Sequence, residues 1–346
     1  MINFTPNLIS HRSSVIEAMQ QLETIPSTLT LFVLNDDNKL IGTLTDGDIR
    51  RGFLRGLDLS GKTSEFMTTE YRTIDNSESV SEFKTIRNVG IRLLPELDDS
   101  GHIQKVYDLK TRKSNLPLEC VIMAGGRGER LRPLTDDTPK PMLGIGGKPI
   151  LEHNIDQLIS YGIEKIYITI LYLGQQIMDY FGDGSAKGIS IEYIWEDKPL
   201  GTAGALTLIK NIETKYIVLM NSDLFTDVDI EDLFLSINQN EADMGIASVL
   251  HTVKIPYGIF DEEDQKIRSI REKPVFTHYA NAGVYILRKE LIQYIPQNSF
   301  YDITDLIEGL LKMGMVIIQN PIVGYWIDIG KHDDYQRAQE IAKHLS

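Results

Sequence analysis

Val121-Ile-Met-Ala-Gly-Gly-Arg-Gly-Glu-Arg-Leu-Arg-Pro-Leu-Thr135 carries a short apolar run straight into three glycines and three arginines, and Pro139-Lys140-Pro141 follows. The apolar run, Glu119 to Ala124, reads as a buried strand. Glycines at its end bring bare backbone N–H groups to a point where a phosphate can sit. Arg130 and Lys140 supply the positive charge that a polyphosphate needs, and flanking prolines restrain the backbone of Lys140. Two other phosphate motifs are excluded. Gly147-Lys148 is followed by Pro149 rather than Ser or Thr, and Leu131 stands where a dinucleotide fingerprint needs its third glycine.

The rest of the chain sets limits. It has 346 residues, a formal net charge of −14 and a sequence pI near 5.0. Length allows two domains, and the acidic balance argues against nucleic-acid or anionic-membrane partners. The cations of the glycine loop are thus local. The single cysteine, Cys120, lies in the apolar strand and reads as a buried structural thiol. It suits a cytoplasmic protein. No basic stretch followed by a long apolar run marks a signal peptide, and Ile166 to Leu173 is too short to span a bilayer. Histidines are scattered without zinc-ligand spacing.

The polar stretch Lys110 to Asn115, ending at Pro117, is the expected domain boundary. Before it, two rounds of helix and strand pattern recur at about 60 residues. In the first, Val15, Ala18, Met19 and Leu22 share a helical face, and strands are expected at Leu29–Leu34 and Leu40–Leu44. In the second, a strand is expected at Tyr71–Ile74, a helix from Val80, an apolar segment at Ile91–Leu97, and a strand ending at Val106. After the boundary, strands at Glu119–Ala124, Lys165–Leu171, Ile189–Trp195 and Tyr216–Met220 alternate with helices at Lys148–Tyr161, Gln175–Phe181 and Thr202–Lys210. That order predicts an α/β, Rossmann-like, mostly parallel sheet with helices on both faces. Ligands should bind beyond the C-terminal strand ends.

The glycine loop with Pro139-Lys-Pro141 resembles the signature of the sugar-1-phosphate nucleotidyltransferases. Five further motifs recur in family order: Pro199-Leu-Gly-Thr-Ala-Gly204, Asn221-Ser-Asp223, Glu272-Lys-Pro274, Asn281-Ala-Gly283 and Trp326-Ile-Asp-Ile-Gly330. The resemblance covers residues 118–346. It implies attack of a sugar-1-phosphate oxygen on the α-phosphorus of a nucleoside triphosphate, with pyrophosphate leaving. It assigns Arg130 to the β- and γ-phosphates, and Lys140 to the α-phosphate and the incoming sugar phosphate. Asp223 and Asp328 would share Mg²⁺. Ala124, Gly125, Gly126, Gly128, Glu196, Gly201 and Thr202 would bind the nucleotide, and Gly258, Glu272, Lys273 and Asn281 the sugar phosphate.

Glu196 stands where thymidylyl and uridylyl relatives often carry glutamine. A carboxylate can accept from both N1–H and the N2 amino group of guanine, so the expected nucleotide is GTP. Uridylyl, thymidylyl or cytidylyl transfer is the alternative, and a non-catalytic regulatory subunit is a further one. The sugar is open among glucosamine-1-phosphate, mannose-1-phosphate and a heptose-1-phosphate.

Residues 1–115 resemble a tandem CBS pair, a smaller α+β domain. Gly42-Thr-Leu-Thr45-Asp-Gly-Asp48 is similar to the end motif of one module, and Met67-Thr-Thr to the opening of the next. The equivalent second end, Val106-Tyr-Asp108-Leu109, lacks the glycine and threonine. The resemblance implies one ligand site, built on Thr45 and Asp48, for an adenosine nucleotide or a related ligand. The alternative is a pair kept for scaffolding or for making the chain a homo-oligomer.

Overall fold

A computed structural model describes residues 3–74 and 80–345. The chain divides into two compact units, Met1–Asn115 and Leu116–Ser346.

In the first unit β1 (Leu8–Ser10), β2 (Thr30–Leu34) and β3 (Leu40–Thr45) form a three-stranded sheet. Helix α1 (Val15–Thr24) is started by a capping box between Ser14 and Glu17 and buries Val15, Ala18 and Leu22. Met19, expected on that face, is 40% exposed. Its position lies at the edge of the stripe, one residue past Ala18. Helices α2 (Asp46–Leu54) and α3 (Thr63–Phe66) follow, with Phe66 in the same core. The second round holds α4 (Val80–Asn88) and the hairpin β4 (Leu93–Leu97) and β5 (Ile103–Asp108). No strand forms at Tyr71–Ile74. Ile74 makes one isolated bridge to Glu96, and the Tyr71 hydroxyl donates to the Leu40 carbonyl instead.

The second unit opens with β6 (Leu118–Met123), then the two-residue strands β7 (Gly144–Ile145) and β8 (Lys148–Pro149), α5 (Ile150–Ser160) and β9 (Lys165–Ile170). Next come α6 (Gly174–Phe181), β10 (Ser190–Trp195), α7 (Gly201–Gly204) and β11 (Tyr216–Asn221). The chain continues through β12 (Leu224–Thr226), α8 (Ile230–Gln239), β13 (Met244–Lys254), β14 (Ile259–Glu263), β15 (Lys266–Arg271) and β16 (Val275–Arg288). It closes with α9 (Ile303–Lys312), β17 (Ile317–Pro321), β18 (Trp326–Asp328) and α10 (His332–Leu345).

The main sheet has the order β10-β9-β6-β11-β16-β13-β17. Only β16 runs against the others, pairing antiparallel with β11 and β13. The sheet is mixed and mostly parallel. Its centre is apolar on both faces, as a covered parallel sheet requires. Val121, Ile217 and Leu219 pack with Leu206, Leu306 and Leu310 of one layer. The alternate residues Cys120, Ile122, Val218 and Met220 are also fully buried and must face the other side. Each such side chain contributes roughly 1.5–3 kcal/mol on burial.

The helix expected over Thr202–Lys210 is shorter. After α7 the chain passes into a 3-10 turn at Ala205–Leu208. A Cβ on Gly204 would lie 2.5 Å from the Ser299 carbonyl, so close backbone packing, not helix propensity, shapes this segment.

Candidate active site

Four strand ends converge on one cleft. The chain leaves β6 into Gly125, β9 into Leu171, β10 into Glu196 and β11 into Ser222-Asp223, and all of these line a cavity of about 290 Å³. Gly126, Lys140, Gly201, Thr202 and Phe300 complete much of its wall. This is the crevice beyond the carboxyl ends of parallel strands.

Gly125, Gly128 and Gly201 are required by space or backbone conformation, whereas a Cβ on Gly126 would meet nothing. A Cβ on Gly125 would stand 2.9 Å from Glu196 Oε1. Gly128 has φ +64°, and a Cβ there would come within 3.0 Å of the Lys140 Cβ. Gly201 has φ +74° and faces the Tyr301 carbonyl at 2.7 Å from its Cβ position. Ala124 is buried, and its N–H donates to the Thr169 carbonyl at 3.0 Å, tying the loop to β9.

Lys140 is only 8% exposed. Its ammonium donates to Asp223 Oδ2 and lies 3.9 Å from Asp328 Oδ1. The structure thus joins two carboxylates and a cation that are distant in sequence. Three links hold Asp223. Ser222 N–H donates to the Met123 carbonyl, buried Asn154 donates to the Ser222 carbonyl at 3.3 Å, and Ile329 N–H donates to the Asp223 carbonyl at 3.1 Å. Asp328 reaches the site because β18 pairs antiparallel with β12, setting Asp328 opposite Leu224. Burial, and then the neighbouring Asp223 carboxylate, raise the Asp328 carboxyl above its ordinary range, while Lys140 and Arg130 act to lower it. The Arg130 guanidinium stands 3.6 Å from the Cβ position of Gly330, so the glycine loop and the last motif meet.

A divalent cation fits this pair. Asp223 Oδ1 is buried with no hydrogen-bond partner. Magnesium takes one or two protein carboxylates and completes its shell with phosphate oxygens and water. Among the described residues no group of three or more metal-ligating side chains stands together. Asp223 and Asp328 are therefore the residues that would hold such an ion.

Glu196 is buried at 7% exposure, and its Oε2 accepts from Leu200 N–H at 3.1 Å. Burial raises its carboxyl above the usual glutamate range, opposed by the Leu200 amide and the Thr169 hydroxyl. Thr202 lines the cleft, but its amide and hydroxyl both donate to Asp302 Oδ1, at 3.0 and 3.1 Å. Its role in the structure is to fasten the start of α9.

The sugar-phosphate set falls elsewhere. Gly258, Glu272, Lys273 and Asn281 do not line the cleft. A Cβ on Gly258 would be 2.7 Å from Glu272 Oε2, and Lys273, with φ +43°, donates its N–H to the Tyr257 carbonyl. Asn281 Oδ1 accepts from Gly283 N–H, and Gly283 packs on Asn221. Asn281 lies on β16, Gly258 in the connection between β13 and β14, and Glu272 and Lys273 in the connection between β15 and β16.

Thr45 and Asp48 form a capping box at the start of α2. Asp48 is buried and accepts from the Thr45 and Thr68 hydroxyls at 2.6 and 2.7 Å and from Arg51. These bonds hold its carboxyl below the ordinary aspartate value despite burial. The two side chains open on different clefts, one lined by Thr30, Thr43, Thr45, Arg72 and Arg92, the other by Asp48, Arg51 and Phe66.

Sequence reasoning missed the clasp made by α10. Tyr335 and Gln339 donate to the Gly144 carbonyl at 2.7 and 2.6 Å, and Gly146 N–H donates back to Gln339 Oε1. His332 Nε2 donates to the Arg132 carbonyl at 3.0 Å. The helix thereby grips the loop on both sides of Lys140. Gln339→Ala is expected to cost about 1 kcal/mol, a fall in Tm of about 2–4 °C, read by thermal unfolding.

A family model for nucleotidyl transferases matches residues 119–344. The chain belongs to this family. It is 32% identical to the mannose-1-phosphate guanylyltransferase of Mycobacterium tuberculosis over 227 residues, which cover 64% of this chain and 63% of that protein. It is 31% identical to the UTP–glucose-1-phosphate uridylyltransferase of Synechocystis, covering 64% and 62%. The chain thus spans less than two thirds of the length of these curated relatives. HddC from Yersinia pseudotuberculosis, solved with GMP-PN, shares 30% identity, with a TM-score of 0.50 over 65% of this chain and 99% of that one. No helix among the described residues is long and apolar enough to cross a membrane.

Proposed function

We propose that the chain transfers a nucleotidyl group from a nucleoside triphosphate, GTP, to a sugar-1-phosphate, releasing pyrophosphate. The observation that carries this reading is the buried Lys140 ion-paired to Asp223 beside Asp328, at the edge of a glycine-lined cleft. A sugar-phosphate oxygen is already an anion, so the barrier lies in bringing two polyanions together and stabilising the leaving pyrophosphate. Arg130 receives the β- and γ-phosphates. Lys140 neutralises the α-phosphate and the entering sugar phosphate. Mg²⁺ on Asp223 and Asp328 would supply charge neutralisation on the phosphate oxygens. Glu272, Lys273, Gly258 and Asn281 take the sugar phosphate.

Glu196 supports guanine. Its carboxylate is inside the cleft, packed on Gly125, and an ionised carboxylate can accept two adjacent N–H groups. The Mycobacterium tuberculosis relative, a guanylyltransferase, and HddC, solved with GMP-PN, agree with guanine, whereas the Synechocystis relative is a UTP–glucose-1-phosphate uridylyltransferase. Pyrophosphate release with Mg²⁺, running GTP, ATP, UTP, CTP and dTTP against a panel of sugar-1-phosphates, tests both levels. Release with GTP is expected. Release with UTP or dTTP alone overturns the base, and no release with any pair overturns the activity. Glu196→Gln is expected to raise the KM for GTP about 10-fold or more, the loss of roughly 1–3 kcal/mol of base discrimination. Because burial raises the carboxyl above 4.5, its protonation as pH falls through the raised folded-state value should raise that KM in the parent and not in the variant.

For residues 1–115 the proposal is a CBS-like pair taking an adenosine nucleotide. It is supported by the repeated strand–turn–strand pattern and by the cleft of Thr30, Thr43 and Thr45 flanked by Arg72 and Arg92.

A further inference from the structure

Thr169 puts an unused hydroxyl into the wall of the cleft. It lies on β9, is 1% exposed, and its Oγ1 is buried with no hydrogen-bond partner of standard geometry. A buried hydroxyl is costly to leave unpaired, and its hydrogen rotates to suit an acceptor within reach. Strand register shows what it faces. Thr169 stands between Met123 of β6 and Ile194 of β10, so these three side chains share one face of the sheet. Glu196 follows two residues past Ile194 on the same row, and its N–H extends the ladder to the Ile170 carbonyl. Thr169 and Glu196 both line the cleft.

A carboxylate offers about four lone-pair sites. The Leu200 amide takes one of them on Oε2. We propose that Thr169 is a positioning residue: its hydroxyl donates to the Glu196 carboxylate and, with the Leu200 amide, turns the remaining acceptor sites toward a base with two adjacent N–H groups. Which base arrives rests on the guanine reading; the Thr169–Glu196 bond does not. Nearby charges do not set this carboxyl. Lys140 and Asp223 of the cleft wall pair with each other, Asp302 is tied to Thr202, and Asp197 and Lys198 beside Glu196 are exposed. Burial raises Glu196, against the Leu200 amide and the Thr169 hydroxyl, which lower it. Removing the hydroxyl therefore raises the carboxyl further and lets it protonate, and lose its acceptors, at a higher pH.

Thr169→Val keeps the side-chain shape and removes the donor. Thr169→Ser keeps the donor, and Thr169→Ala is its donor-free counterpart should valine disturb folding. Glu196 is followed in the full chain by carboxyl carbon NMR with isotope-labelled glutamate, its signal assigned by its loss in Glu196→Gln. The titration midpoint should rise in Thr169→Val and Thr169→Ala and stay near the parent value in Thr169→Ser. The Kd for GTP, read by calorimetry without sugar phosphate, should rise about 3–10-fold in the donor-free variants, and the loss of affinity on acidification should begin at higher pH. A midpoint unmoved by losing the donor, or moved equally by Thr169→Ser, overturns the inference. So does GTP binding that weakens in Glu196→Gln but not in Thr169→Val. A raised midpoint with GTP binding unchanged in both variants sinks the guanine reading instead and upholds the Thr169–Glu196 bond.

Discussion

Lys140→Ala is expected to lower kcat for nucleotidyl transfer by about 10²–10³, the usual cost of removing one preorganised charge from a reacting centre. The expectation rests on how the cation is fixed. Its Cβ is pressed against Gly128, its ammonium is held by Asp223, and Pro139 and Pro141 flank it in a 3-10 turn. The cation is thus fixed on the cleft wall, where a phosphate would meet it. Removing the ammonium also leaves Asp223 and Asp328 facing each other uncompensated. A triphosphate should then bind more weakly, and Mg²⁺ more tightly, because Lys140 no longer competes for Asp223. The Mg²⁺ concentration giving half-maximal rate should fall while kcat falls. A decrease in kcat of less than tenfold would remove Lys140 from the chemistry.

The parts legible in sequence share one property: each is a strand buried on both faces or a residue that follows one. β6, β9, β10 and β11 show as apolar, β-branched runs, and Gly125, Glu196 and Asp223 come directly after three of them. Their convergence on one cleft is a consequence of parallel order. What was not legible is tertiary. The Thr202 hydroxyl is directed by Asp302, 100 residues away, and the Lys140 loop is gripped by Gln339. Neither contact leaves a periodic signal. The expected helix after Thr202 failed because the Ser299 and Tyr301 backbone packs against Gly201 and Gly204. At Tyr71, where a strand is expected, the hydroxyl donates to the Leu40 carbonyl and Ile74 makes an isolated bridge to Glu96, both long-range contacts with no periodic trace in the sequence. Phe300, an exposed aromatic on the cleft wall, had no motif to announce it.

Asp223→Asn and Asp328→Asn should both raise the Mg²⁺ requirement at least tenfold and lower kcat by about 10³, yet move stability in opposite directions. Asp223 is the direct partner of a buried ammonium. Its neutralisation leaves Lys140 with only Asp328 at 3.9 Å, at a cost of about 1–3 kcal/mol. Asp328 is different. Its side chain is 47% exposed, and burial with Asp223 raises its carboxyl from the ordinary 3.8. A raised carboxyl favours the folded state while protonated, and that advantage is lost as pH rises from 3.8 through the folded-state value. At pH 7 the ionised group therefore opposes folding, and Asp328→Asn should raise Tm in metal-free buffer. Below pH 3.8 the two proteins should unfold alike. Thermal unfolding at pH 7 with and without Mg²⁺ separates the cases: the ion should stabilise the parent and neither variant. If Mg²⁺ stabilises both variants as it does the parent, the ion is held by other groups, and the two aspartates serve only to position Lys140.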